Sequence, residues 1–293
     1  MTSFAIIGFG EVGSIFARDL RAGGATGIRA WDIAPAARDR AVAADGVSAA
    51  ASATDAAGGA DVVFVCVTAG SVADAMCSLA GGLGHRPLVV DVNSISPGAK
   101  AEACQAVTEA GGRYVEAAVM ASVPPKGLRT PILLGGPDAE AFMDVMAPWK
   151  MDLTVFSPTV GKASSVKMCR SVMVKGLEAL TAECMLAARH YGVEDDVLRS
   201  LSDTLPHEDW RGLARYVISR ALIHGKRRAE EMREVARTVG EAGVEPMLSR
   251  AITERQDWAW RRGREMSPDA LKSTELDTML DALAATTPRK AAE

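Results

Sequence analysis

Four histidines and five cysteines are scattered through 293 residues, and neither set is spaced to hold a metal or a disulfide framework. Cys66, Cys77, Cys104, Cys169 and Cys184 are odd in number and show no CxxC spacing. Cys66 and Cys104 lie in apolar stretches where a cysteine is ordinarily a small core residue, and no base partner marks a catalytic thiol. Basic surplus is lacking as well: 33 Lys and Arg against 37 Asp and Glu leave a formal net charge of -4. With no run of like charges, this speaks against a nucleic-acid partner. The longest apolar runs, 61–68 and 87–91, have the length of strands and fall far short of a membrane span. The N-terminus passes from Met1 into a strand-like 4–8 with no basic region or cleavage site, so a soluble cytoplasmic protein without a membrane partner is expected.

What is present is ordinary globular composition, 48% hydrophobic and 24% charged, in a chain long enough for two domains. Phe4-Ala5-Ile6-Ile7 leads into Gly8-Phe9-Gly10-Glu11-Val12-Gly13, and apolar residues then take up helical periodicity. This is a strand, a GxGxxG turn and a helix. Gly8 permits the tight turn, Gly10 lets the backbone approach a pyrophosphate, and Gly13 lets helix and strand pack closely. The free N–H groups and partial positive charge of a helix N-terminus suit phosphates. A second strand, 27–31, ends in Asp32, whose carboxylate would accept from ribose hydroxyls and repel a 2′-phosphate. NAD is therefore expected over NADP, which Arg38 keeps open if it turns toward a 2′-phosphate instead of lying solvated on its helix.

Continuous apolar runs then alternate with helices: strand 61–67 followed by Thr68-Ala69-Gly70, a helix to about 80, and strand 87–91. This pattern predicts a parallel sheet covered on both faces, with Gly8–Gly13, Thr68–Gly70 and Asn93–Ser96 on the rim beyond the strand ends where ligands bind. Ser96 before Pro97 is explained as a cap for a helix to about 108. Asn93 is not explained by capping and is placed near the nicotinamide end. Strand 113–119, the loop 120–127, strand 131–134, helix 138–147 and edge strand 153–156 complete the first half.

From about 159 the chain reads as helical: a long helix 159–191, then 195–201, 208–241, 246–262 and 268–284, with a disordered tail 286–293. The expected organisation is a Rossmann-type doubly wound parallel sheet over 1–158 followed by an all-α domain over 159–293. The long helix carries Gly161, Lys167, Arg170, Ser171, Val174 and Glu178 at three- and four-residue spacings. That stripe fits catalysis, and it also fits a connector whose lysine snorkels to water. His224, Arg227, Arg228 and Glu231 share a face of the 208–241 helix. They form either a solvated salt-bridged surface or, through His224 or Arg227, a grip on a substrate carboxylate.

With the glycine turn, Asp91-Val92-Asn93-Ser94-Ile95-Ser96-Pro97, the 116–122 segment and 161–167 in order, the chain resembles the β-hydroxyacid dehydrogenases. That family includes 3-hydroxyisobutyrate dehydrogenase, tartronate semialdehyde reductase and the 6-phosphogluconate dehydrogenases. The resemblance covers the first 175 residues, and the later half looks like a divergent bacterial branch. It implies hydride transfer between a nicotinamide cofactor and a small hydroxyacid, with Lys167 matching the family's catalytic lysine. Where the family has Asp-x-Ser-Thr this chain has Asp91-Val92-Asn93-Ser94, and the family's Asp-Ala-Pro-Val-Ser-Gly-Gly becomes Glu116-Ala117-Ala118-Val119-Met120-Ala121-Ser122. The family's Asn-Asn becomes Arg170-Ser171, and the glutamate of 6-phosphogluconate dehydrogenases falls on Val174, so the substrate differs from theirs.

The expected constellation is Lys167 as general acid/base, its pKa lowered by Arg170 and Lys175, with Asn93 orienting the substrate oxygen or the nicotinamide amide. Gly8, Phe9, Gly10, Glu11, Val12, Gly13, Asp32, Val67, Thr68 and Asn93 would hold the cofactor. Backbone N–H groups over 120–123, with Met120, Ala121, Ser122, Arg170, Ser171, His224 and Arg227, would hold an anionic substrate. Apolar faces on the C-terminal helices predict a homodimer. An imine-type reductase or a non-catalytic dinucleotide-binding protein would fit the same scaffold.

Overall fold

A computed structural model of the chain describes residues 2–205 and 207–286. The chain divides into two compact units, Met1–Cys169 and Arg170–Glu293. In the first unit the strands are β1 (Phe4–Ile7), β2 (Ile28–Trp31), β3 (Val47–Ala49), β4 (Val62–Val65), β5 (Leu88–Asp91), β6 (Arg113–Val119), β7 (Ile132–Gly135) and β8 (Leu153–Ser157). Between them run α1 (Glu11–Ala22), α2 (Pro35–Ala43), α3 (Ala53–Ala57), α4 (Val72–Leu79), α5 (Pro97–Glu109) and α6 (Ala139–Met146). The eight strands form one sheet in the order β3-β2-β1-β4-β5-β6-β7-β8.

Both faces of the sheet are covered. Every residue of β1, β4 and β5 is buried, with Phe4, Ile6, Phe64 and Val90 in one apolar cluster and Ala5, Ile7, Val63 and Val89 in the other. This is why these strands read as unbroken apolar runs. On the first face Phe64 makes edge contacts with Phe16 and Phe142, at centroid separations of 5.5 and 5.9 Å.

The sheet is parallel except between β6 and β7, which pair antiparallel from Glu116 opposite Gly135 to Val119 opposite Ile132. The link between them holds only a single 3-10 turn at Gly127–Arg129. Lacking the helical crossover that a parallel return needs, the chain doubles back. β3 and α3 are additions to the sequence reading. Val47-Ser48-Ala49 is a partly exposed edge strand with no apolar run to announce it, and α3 is a five-residue turn of mostly alanine.

α7 (Lys162–Tyr191) begins three residues later than the expected 159. Gly161 takes φ +95° and Thr159 N–H is held by Ser157 Oγ at 3.0 Å, so the chain is still turning there. The second unit continues with α8 (Glu194–Thr204), α9 (Trp210–Glu241) and α10 (Met247–Gly263). Asp209 caps α9, its Oδ1 accepting from Gly212 N–H at 2.7 Å. The expected single helix 268–284 is instead two, α11 (Pro268–Lys272) and α12 (Leu276–Thr286). Ser273 takes extended backbone and its Oγ accepts from Glu275 N–H at 3.1 Å, a local serine turn that competes with the helix. The expectation for the tail beyond Thr286 lies outside the described residues.

α9 and α10 pack antiparallel with their backbones nearly touching. A Cβ on Gly225 would overlap the Gln256 carbonyl, and one on Gly263 the Leu222 carbonyl. The core of this unit gathers Met185, Leu198, Ile218, Leu222, Met279, Leu280 and Leu283. Among the described residues no helix is long and apolar enough to cross a membrane, no metal-binding cluster forms, and all five cysteines are free.

Candidate functional site

The rim beyond the strand ends of the first unit is built from three loops. The first is the glycine turn. Gly8 takes φ +92° and donates its N–H to Trp31 O at 2.9 Å, and a Cβ on Gly13 would overlap the Gly8 carbonyl. Above Gly10, the residue that caps α1 without a side chain, nothing lies within 4 Å of where a Cβ would stand. A crowded underside and an open surface at a 12-residue helix N-terminus are what a diphosphate requires, so these residues fit a dinucleotide. Phe9 is buried, Glu11 exposed and Val12 half-buried along this turn.

Asp32, past the end of β2, accepts from Phe9 N–H at 2.7 Å through Oδ2 and from Ala34 N–H at 2.8 Å through Oδ1. Its carboxylate therefore ties the glycine turn to the β2 end. Arg38 is half-buried. Its guanidinium turns back to donate to Asp32 O at 3.0 Å and Ile33 O at 2.8 Å, and Arg40 donates to Phe9 O at 3.2 Å.

The second and third loops are joined through Asn93. Its Oδ1 accepts from Val67 N–H at 2.9 Å and its Nδ2 donates to Asp91 Oδ1 at 2.7 Å. Asp91 is completely buried and also accepts from Asn93 N–H at 2.9 Å and Tyr114 Oη–H at 2.7 Å, while Lys100 Nζ lies 3.1 Å from its Oδ2 and donates to its carbonyl at 2.8 Å. Burial, then the neighbouring Asp91, push the Tyr114 phenol well up. The same two causes, in the same order, push up the Cys66 thiol. Cys66 is thereby kept protonated, in line with its reading as a core residue. Thr68 is exposed, its hydroxyl 3.1 Å from Ser71 Oγ.

The 116–122 segment forms β6 and the loop after it. Met120 N–H donates to Pro131 O at 2.9 Å, so it continues the strand pairing and is not available to an acid group as expected. Ala121 and Ser122 are exposed. Glu116, fully buried, accepts from Gly161 N–H at 2.7 Å and Ser164 N–H at 2.5 Å. Its carboxylate thus caps the first turn of α7, satisfying orphan donors and complementing the helix dipole. Lys167 follows on that helix, half-buried.

In the second unit Arg170 is exposed and Ser171 buried, its Oγ accepting from Lys175 Nζ at 3.2 Å. Lys175 pairs with Glu231 Oε2 at 2.8 Å. It is therefore matched by a carboxylate. Arg227 is exposed and pairs with Glu231 at 3.3 Å. Arg228 is buried against Glu178 at 2.7 Å, so the shared face of α9 is only in part a solvated surface. His224 is half-buried and its pKa falls to about 4, first through burial and then through Arg220, Arg227 and Arg228, so it is neutral at pH 7. The buried roles of Glu116, Asp91 and Lys100 escaped sequence reading. Only the Ser96-Pro97 start of α5 gave a local sign, confirmed by Ser96 Oγ accepting from Ala99 N–H at 3.1 Å.

Residues 3–147 match the NAD binding domain of 6-phosphogluconate dehydrogenase, and residues 188–258 match a domain of unknown function, DUF1932. A conserved hypothetical protein from Sinorhizobium meliloti 1021 is 35% identical, with 98% of this chain and 97% of that one covered and a TM-score of 0.75. A conserved protein of unknown function, described as structurally similar to 3-hydroxyacid dehydrogenases, is 32% identical over 89% of this chain and 99% of its own, with a TM-score of 0.69. 3-Hydroxyisobutyrate dehydrogenase from Mycobacterium tuberculosis, solved with L-serine, shares the fold at 18% identity and a TM-score of 0.70, over 98% and 99% of the two chains. With a nicotinamide-dinucleotide domain followed by helices, and relatives this similar along nearly their whole length, the chain belongs to the β-hydroxyacid dehydrogenase-like family.

Proposed function

We propose that this protein is a nicotinamide-dependent oxidoreductase interconverting an alcohol and a carbonyl on a small hydroxyacid, with NAD as the preferred cofactor. The observation that carries the proposal is the glycine cradle with Asp32 tied to Phe9 N–H beside it, in a chain of this family. When bound, the nicotinamide supplies or accepts the hydride. The chain's own contribution is to hold the diphosphate on the α1 N-terminus, favour free ribose hydroxyls at Asp32, and exchange a proton with the substrate oxygen through Lys167. Ala121 and Ser122 of the first unit are proposed to meet the substrate acid group; within the second unit, Arg170, Ser171, His224 and Arg227 are proposed as anion-binding side chains.

We also propose a cytoplasmic homodimer formed through the helical unit. Support comes from a groove of about 660 Å³ between α7 and α10, whose edges carry Met173, Leu180 and Leu248 at 67%, 68% and 73% exposure. A patch of this kind marks an interaction surface. The rim bears Glu254 and Arg261 on one helix, opposite charges that a two-fold partner can pair reciprocally. Analytical ultracentrifugation of wild type and Leu180→Glu tests it: a dimer that becomes a monomer is expected, and a wild-type monomer refutes it.

The test of function is a difference-spectroscopic titration with NADH and NADPH, followed by a panel of 2- and 3-hydroxyacids with cyclic imines as the contrasting class. Lys167→Ala should lower turnover by at least about a hundredfold, the lower end for losing a positioned acid/base, while NADH binding stays intact. Substantial residual turnover would remove Lys167 from the mechanism.

A further inference from the structure

We propose that Asn93 is a cofactor-positioning residue that acts through the backbone of Val67, with its amide locked in one orientation by the buried Asp91 carboxylate. The inference rests on the nicotinamide-binding reading of the first unit and assigns Asn93 a place in it that differs from contact with the substrate. The Asp91 carboxylate is surrounded by donors: Asn93 N–H and Nδ2 on Oδ1, Tyr114 and Lys100 on Oδ2. A carboxylate with these partners only accepts, so the edge of the Asn93 amide that meets it is the NH₂ edge. The carbonyl oxygen then faces the other way, onto Val67 N–H, which can only donate. Turning the amide over would set two oxygens against each other and leave Val67 N–H facing an NH₂ group. At 5% exposure, water is poorly placed to repair either loss.

Val67 is the second residue past β4 and precedes Thr68, on the rim where open parallel sheets take their ligands. Its peptide plane is fixed by a partner that is fixed in turn by a buried ion pair, a chain of restraint running from α5 and β6 to the β4 loop. A serine or threonine hydroxyl at position 93, as the family resemblance would supply, can accept from Val67 N–H. It cannot donate to Asp91 with the same two-sided geometry.

The experiment is NADH binding to the full chain, followed by fluorescence from pH 5 to 8, for wild type, Asn93→Ala and Asn93→Asp. Asn93→Ala should raise Kd about tenfold, the scale of one lost hydrogen bond. Asn93→Asp separates positioning from bulk. Protonated, the new carboxyl donates to Asp91 and accepts from Val67 N–H as the amide does; ionised, it repels Asp91. The other titratable groups around Asp91 are Lys100 from α5, Tyr114 from β6 with Glu116 opposite in register, and Cys66 past β4. Its Kd should therefore rise with pH by more than the wild-type value does. Unchanged Kd in Asn93→Ala, or a pH profile of Asn93→Asp that tracks wild type, overturns the inference. Should neither variant fold, hydrogen exchange at Val67 N–H in wild type decides: protection supports the bond, and exchange at the rate of an exposed loop overturns it. If wild type binds neither NADH nor NADPH, the nicotinamide reading fails first and takes the inference with it.

Discussion

Glu116 closes the N-terminal turn of α7 by accepting from Gly161 N–H at 2.7 Å, with its second oxygen on Ser164 N–H. The helix that carries Lys167 is therefore anchored to the sheet by a residue of β6. Glu116→Gln keeps one acceptor but sets an NH₂ group against a backbone N–H. A loss of about 1–3 kcal/mol is expected, the cost of an unsatisfied buried group. Urea denaturation measures it, and an unchanged midpoint would deny the cap any energetic role.

Asp32 ties the glycine turn through Phe9 N–H and, on the proposed reading, also sets the choice between cofactors. Asp32→Ser removes the charge opposite a 2′-phosphate and weakens the hold on Phe9 N–H. NADPH affinity relative to NADH should rise by about tenfold, equivalent to about 1.4 kcal/mol. Titration with both cofactors checks it, and an unaltered ratio would mean that Asp32 does not set the preference.

The depressed pKa of His224 makes stability depend on pH with a definite sign. The unfolded chain binds a proton near 6.5 and the folded one only near 4. The stability contributed by neutral His224 is thus present above about 6.5 and lost progressively as pH falls toward 4. Glu178, whose carboxyl is pushed up first by burial against the opposing effect of Arg228, works in the opposite sense at the acid end. Comparing urea midpoints at pH 7 and 5 for wild type and His224→Asn isolates the histidine: the substituted protein should lose less on acidification.

Arg228 and Glu178 form a buried pair at 2.7 Å, with Gln256 Nε2 donating to the second carboxylate oxygen at 3.1 Å. Arg228→Met leaves that carboxylate buried without its cation, for an expected loss of about 3–5 kcal/mol. Replacing both, Arg228→Met with Glu178→Leu, should recover most of it. A double-mutant cycle in thermal or urea unfolding reads the coupling, and additive losses would show the two side chains acting independently.

Much of the sheet was legible because its strands are buried on both faces and so read as unbroken apolar runs, from Phe4–Ile7 to Leu88–Asp91. The Gly8–Gly13 turn was legible because close packing and a tight turn demand glycine at set places. β3 was not, since an edge strand of Val47-Ser48-Ala49 needs little apolar surface. Nor was the break at Ser273, where a single hydroxyl outcompetes helix propensity. The candidate site was visible as residue types at spacings, but its restraints were not. Lys100 is fully buried against Asp91, and Glu116 reaches a helix 45 residues away in the chain, pairings made only by the folded sheet.

The near contact of α9 and α10 has a practical use. Because Gly225 and Gly263 each lie against a carbonyl of the opposite helix, a single added side chain acts as a wedge between the two rods. Gly225→Val is therefore a lever on the helical unit that leaves every residue of the dinucleotide cradle untouched, a genetic handle for asking what the second half of the chain is for.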